Sequence, residues 1–146
     1  MQSAIVQAQL KAIGINVTDA PLAANVIFGP TGIPSGNYDL ADFAWATSPD
    51  PSGFVPTWSC GGTSNYLNYC NRKATALLNA SNTELDPAKR ATDFQQADAL
   101  IANDLPSIPM YSRPNALIYK TGILGMLNNP SQIGFGWNME QWHWKA

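Results

Sequence analysis

The stretch YDLADFAWATSPDPSGF, residues 38–54, limits the fold more than any other part of the chain. Tyr38, Leu40, Phe43 and Trp45 set aromatic and apolar groups at mostly alternating positions after the turn residues Gly36 and Asn37, which is the period of a β-strand. Pro49 and Pro51 have no N–H to give to a ladder, so the strand has to stop before them. Thr47, Ser48, Asp50 and Ser52 then form a short polar loop directly beyond its carboxyl end. In an open α/β sheet, ligands sit at that position. A surface loop whose Trp45 simply joins the core is the competing reading.

The elements on either side follow from local signals. Residues 3–13 place Ile5, Ala8 and Ala12 on one stripe and Val6, Leu10 and Ile13 beside it, a broad apolar face at helical spacing. Gly14 suits the left-handed position after a helix end, Lys11 complements the carbonyl end of the dipole, and Ile15 and Val17 start an alternating strand. Residues 20–28 suit a short helix, and GPTGIPSGN after it reads as loop. A helical turn is expected at 51–58 and a helix at 71–80 carrying Ala74, Leu77 and Leu78. Asp86-Pro87 is a firm start signal, with a capping carboxylate and a proline where the missing N–H costs nothing. Ala91, Phe94, Ala97 and Ile101 mark the buried stripe of that helix, which ends before Pro106. Ile108, Met110 and Tyr111, and then Ala116, Ile118 and Tyr119, read as strands. Beyond Thr121 comes a tail rich in glycine and asparagine, where Trp142 and Trp144 would share one strand face.

This order of helices and strands is an α/β layer arrangement. A chain of 146 residues suits one domain with its own core. With 12% charged residues and a net charge of −2, it offers nothing to a nucleic-acid backbone. Neither a signal peptide nor a transmembrane run is evident. Cys60 and Cys70, the two cysteines, close a glycine-rich loop. A metal site needs more ligands, a redox motif needs closer spacing, and a nucleophile needs a base, whereas the one histidine, His143, is far off in sequence. A disulfide is the preferred reading and implies an oxidising compartment; two buried thiols are the alternative. No motif of hydrolases, phosphate loops or zinc proteases is present.

In order along the chain, IVQAQLKAIGINV, YDLADFAW, DPSGF, the cysteine loop with Asn65, LNASNTELDPAKRATDFQQADALIANDLPSIPMYSR and WNMEQW resemble the family 5 extracellular solute-binding proteins. These are the peptide- and nickel-type receptors of bacterial ABC importers, and the resemblance covers their C-terminal part. It implies one lobe of a type II periplasmic-binding-protein fold, a mixed sheet flanked by helices. Residues 1–121 would be the C-terminal ligand-binding lobe and 122–146 a tail that crosses to the first lobe. The implied function is binding of a peptide or related small molecule for import through ABC permease subunits, outside the cytoplasm and anchored in the full-length protein. It needs no catalysis, cofactor or metal.

Trp45, Thr47, Ser48 and Asp50 are the ligand positions carried over from the family. Peptide-binding members have an acidic residue shortly after this tryptophan to pair with the peptide's amino terminus; here Thr47, Ser48 and Pro49 stand instead, and Asp50 aligns with the family's Asp/Glu-Pro step. Without the first lobe, the tryptophans of the tail would need cover, so a dimer through 122–146 is expected as one outcome. Carbohydrate-binding module and non-catalytic interaction domain are the alternatives, the former because sugar faces stack on aromatic rings.

Overall fold

The computed structural model describes residues 2–145 other than Thr47, Pro49, Arg113, Pro130 and Gln132. The chain divides into two compact units, one of residues 1–44 with 66–68 and one of residues 45–65 with 69–146.

In the first unit, helix α1 (Gln2–Ala12) stops as its glycine requires. Gly14 sits at φ 87°. The Ile15 N–H donates to the Leu10 carbonyl at 2.9 Å and the Gly14 N–H to the Lys11 carbonyl at 3.0 Å, the crossed pair that satisfies the last carbonyls of a helix. The apolar face of α1 is covered only in part: Val6 and Leu10 are half-buried, while Ile5 and Ile13 are exposed. Val17 is not in a strand; its carbonyl accepts a hydrogen bond from Gln7 Nε2 at 2.8 Å, which ties the chain back to α1. Helix α2 (Ala24–Ile27) is one turn long. The segment expected to be loop contains a 3-10 turn, Ile33–Ser35, and Ile33 is among the most buried apolar residues. Phe28 meets Phe43 edge-on with centroids 5.8 Å apart, and the Tyr38 hydroxyl donates to the Tyr66 carbonyl at 2.7 Å.

The second unit is built on a helical hairpin. Helix α3 (Val55–Trp58) follows a 3-10 turn, Pro51–Phe54. Helix α4 (Arg72–Thr83) begins at Asn71, whose Oδ1 accepts from the Lys73 and Ala74 N–H groups at 3.0 Å each. Helix α5 (Pro87–Asp104) begins at Asp86, whose Oδ1 accepts from the Ala88 N–H at 2.8 Å, with Pro87 in the first position. It stops at Leu105, held at φ 50°, because Pro106 disfavours a right-handed helical residue before it. Val55, Leu78 and Ala97 form the core, with Trp58, Leu77, Phe94 and Ile101 packed around them. Three of the four residues expected in the α5 stripe are there, and Ala91 is exposed instead. Ser81 is fully buried and returns its hydroxyl to the Leu78 carbonyl at 2.7 Å.

Asp104, at the negative end of the α5 dipole, would be unfavourable alone. The Tyr69 hydroxyl at 2.7 Å and Asn71 Nδ2 at 2.8 Å both donate to its Oδ2. Burial first, and then the hydrogen bond to Asp104, push the Tyr69 hydroxyl up to about 12 from 10.0.

The tail folds on itself around one asparagine. Strands β1 (Ile123–Leu124) and β2 (His143–Trp144) pair antiparallel, Ile123 opposite Trp144 and Leu124 opposite His143. Between them runs a kinked 3-10 segment, Phe135–Gln141, whose Asn138 is fully buried. Asn138 Nδ2 donates to the Gly125 carbonyl at 2.6 Å, and its Oδ1 accepts from Trp142 Nε1 at 3.1 Å and from the Leu127 N–H at 3.5 Å. Phe135 stacks on Trp142 at 6.2 Å. Trp142 precedes β2 and turns its indole to Asn138, whereas Trp144 is 67% exposed, so the expected pair on a single strand face does not form.

The fold is therefore a mixed, largely helical one with a two-stranded sheet among the described residues. No regular strand runs through 15–17, 38–45, 108–111 or 116–119. Alternation states which face a strand would bury, but a ladder forms only where a second backbone lies alongside. With an 18-residue α5, the chain does not match the all-β pattern of a carbohydrate module.

Candidate functional site

The loop at 45–54 is held by a carboxylate and an arginine. Asp50 Oδ1 accepts from the Ser52 N–H at 2.8 Å, which caps the 3-10 turn, and the Asp50 N–H donates to Ser48 Oγ at 3.3 Å. Arg90 Nη2, from the first turns of α5, donates to both Asp50 oxygens at 2.7 and 2.8 Å, while its guanidinium lies 5.6 Å from the centre of the Phe94 ring. The Ser52 hydrogen bonds, and after them Arg90, hold the Asp50 carboxyl down at about 2 from 3.8.

Above this anchor, Trp45, Ser48, Gly53, Phe54, Thr57 and Ser64 line a cavity of about 230 Å³. Trp45 is at the surface, 39% exposed, and Thr57 is buried. Ser64 reaches the cavity from the cysteine loop, whose geometry is fixed several times over. Cys60 and Cys70 are joined in a disulfide with Cα atoms 4.4 Å apart. Asn65 bridges the loop's two limbs: its Nδ2 donates to the Ser59 and Tyr69 carbonyls at 2.9 and 2.6 Å, and its Oδ1 accepts from the Tyr69 N–H at 3.1 Å. The Cys60 N–H donates to Thr75 Oγ1 at 3.0 Å, fastening the loop to α4. Gly62 packs so close to the Pro56 carbonyl that a Cβ there would collide with it.

Of the residues expected at the site, Trp45 and Ser48 line the cavity. Asp50 stands in the turn beside them with its charge matched by Arg90, and Thr47 falls outside the described residues. Phe54, Thr57, Ser64 and Arg90 were not expected. Phe54 and Thr57 had a signal, since a helical turn after a Pro-rich loop must aim one face back at that loop. Arg90 is 40 residues from Asp50, and no local pattern joins them. A second, more open concavity of about 370 Å³, lined by Ala4, Gln7, Ala8, Lys11, Asn16 and Val17, belongs to the first unit. Among the described residues, no group of three or more His, Cys, Asp or Glu side chains is placed to hold a metal ion, and no helix is long and apolar enough to cross a membrane.

The cavity offers aromatic faces and hydroxyls, which is chemistry for binding. No protein-family model matches the chain. It is similar to an uncharacterized lipoprotein of Mycobacterium tuberculosis, 29% identical over 140 residues, which is 88% of this chain and 24% of the lipoprotein. The peptide transport periplasmic protein SapA of Salmonella typhimurium is 26% identical over 131 residues, 86% of this chain and 24% of its own length. SapA of Haemophilus influenzae is 31% identical over 101 residues, 66% of this chain and 18% of its own length. The chain thus spans about a quarter or less of the length of these curated relatives. The matches support a solute-binding protein family.

Proposed function

We propose that the chain is part of a ligand-binding lobe of a family 5 extracellular solute-binding protein with the type II fold. Residues 1–121 form the lobe and 122–146 the segment that crosses to the other lobe. The whole receptor binds a solute, a peptide or related small molecule, outside the cytoplasm and hands it to ABC permease subunits; a lipid anchor holds it at the membrane. The ligand-binding positions are Trp45, Thr47, Ser48 and Asp50, the last of them through the turn it holds with Ser52 and Arg90.

The observation that carries this reading is the cavity walled by Trp45, Ser48, Phe54, Thr57 and Ser64, beside a turn in which Asp50 pairs with Arg90 of α5. A concavity lined by aromatic and hydroxyl groups at the edge of a helical scaffold is the usual make-up of a small-molecule site. The similarity to periplasmic transport proteins over most of the chain points the same way. The test uses the full-length receptor: mass spectrometry of what copurifies names the solute, and Trp45→Ala is then expected to weaken its binding by about 1 kcal/mol or more with an unchanged circular dichroism spectrum. Binding at wild-type strength would overturn the assignment.

A further inference from the structure

We infer that this site takes an uncharged ligand group, one with an apolar face for Trp45 and Phe54 and a hydrogen-bonding edge for Ser48, Thr57 and Ser64. The inference rests on the binding reading of the same cavity and narrows its ligand class. None of the six lining residues is ionisable. The residues flanking Ser48 in sequence, Thr47 and Pro49, carry no charge either.

The nearest carboxylate along the loop, Asp50, already has an ionic partner in Arg90. Both of its oxygens accept from Arg90, and one also accepts from the Ser52 N–H. The pair has no net charge, so its pull on a ligand ammonium or carboxylate is weaker than that of an unpaired carboxylate or guanidinium. An ammonium would have to compete with a guanidinium that is also placed over the Phe94 ring. Burying an ionised ligand group against a wall with no counter-charge is costly, whereas a neutral group loses little on entering.

What the wall does supply suits a neutral group. The indole and phenyl rings give flat apolar surface. The Ser48 hydroxyl accepts from the Asp50 N–H, which leaves its hydrogen as a donor toward a ligand oxygen. A pyranose ring and the backbone amides inside a peptide both have this combination of apolar face and hydrogen-bonding edge.

Heteronuclear NMR of the 146-residue chain tests the inference with three probes: methyl β-D-glucopyranoside, N-acetyl-trialanine amide, and trialanine amide with its free ammonium. At least one neutral probe is expected to shift the Trp45 indole and the Ser48, Thr57 and Ser64 amides, and which one does so separates a sugar from a peptide interior. The free ammonium is expected to improve on the acetylated peptide by less than about tenfold, the factor a charge-assisted hydrogen bond would bring. A preference of about tenfold or more for the free ammonium, lost in high salt, would overturn the neutral-ligand inference while leaving the binding site in place. If no probe shifts these residues, the neutral-ligand inference falls, while the binding reading is decided by the copurification and Trp45→Ala test on the full-length receptor.

Discussion

Replacing Asn138 by alanine is the sharpest test of how the tail is held. Its side chain is fully buried and is the shared partner of three segments, through the Gly125 carbonyl, the Trp142 indole N–H and the Leu127 N–H. The first two are well-formed bonds worth about 1 kcal/mol each; the third, at 3.5 Å, counts for little. Truncation also strands a carbonyl and an indole N–H, and leaving such a group buried without a partner costs about 1–3 kcal/mol more. A local loss of about 3 kcal/mol follows, confined to 122–145 because the α4–α5 core does not depend on it. Amide hydrogen exchange reads this directly: the Lys145 amide, bonded to the Gly122 carbonyl, should exchange about a hundredfold faster while those in α5 are unchanged. Trp142→Phe removes the indole N–H and also trims the ring stacked on Phe135, so it should cost at least the roughly 1 kcal/mol of the lost hydrogen bond. A change below about 1 kcal/mol for Asn138→Ala would refute the view that this side chain organises the tail.

Other expectations are more routine. Leu78→Ala removes a core side chain from between α4 and α5 and should cost about 2–5 kcal/mol in urea unfolding. The oxidised protein should show no alkylation until reductant is added, and reduction should lower stability by about 2–3 kcal/mol, as expected for opening a short loop. Because the Asp50 carboxyl is depressed to about 2, its contribution is complete above the ordinary value of 3.8 and fades as pH falls toward 2. Wild type should therefore exceed Asp50→Asn in melting temperature at neutral pH, with the gap closing below about pH 3.

The helices were legible because their signals are local. Asp86-Pro87 states a cap and a first turn within two residues, Gly14 states a stop within one, and the 3.6-residue stripe of α5 needs no partner to be read. The α4 start was misplaced by a single residue because Asn71 is the cap and not the first helical residue. Strands were overread: 38–45 alternates as a strand should, yet whether it pairs is decided by chain elsewhere. The candidate site was half legible for the same reason. Trp45 and Ser48 stand out beside two prolines, but Arg90 and Ser64 arrive from a distant helix and a disulfide loop. Asn138 gave no warning, since a buried asparagine looks like a surface one until Gly125 and Trp142 close around it.

The bonds from Tyr69 and Asn71 to Asp104 change how the helical hairpin can come apart. An antiparallel pair of helices has one end tied by its connecting turn and one end open, and helices ordinarily fray from the open end. Here Asn71 does two things at once, capping α4 with its Oδ1 and clasping the last residue of α5 with its Nδ2. The pair becomes a closed ring, covalent at one end and hydrogen-bonded at the other. With no loose end from which to unzip, its two termini should open together with the Leu78 and Ala97 layer, giving the scaffold under the candidate site one cooperative melting step.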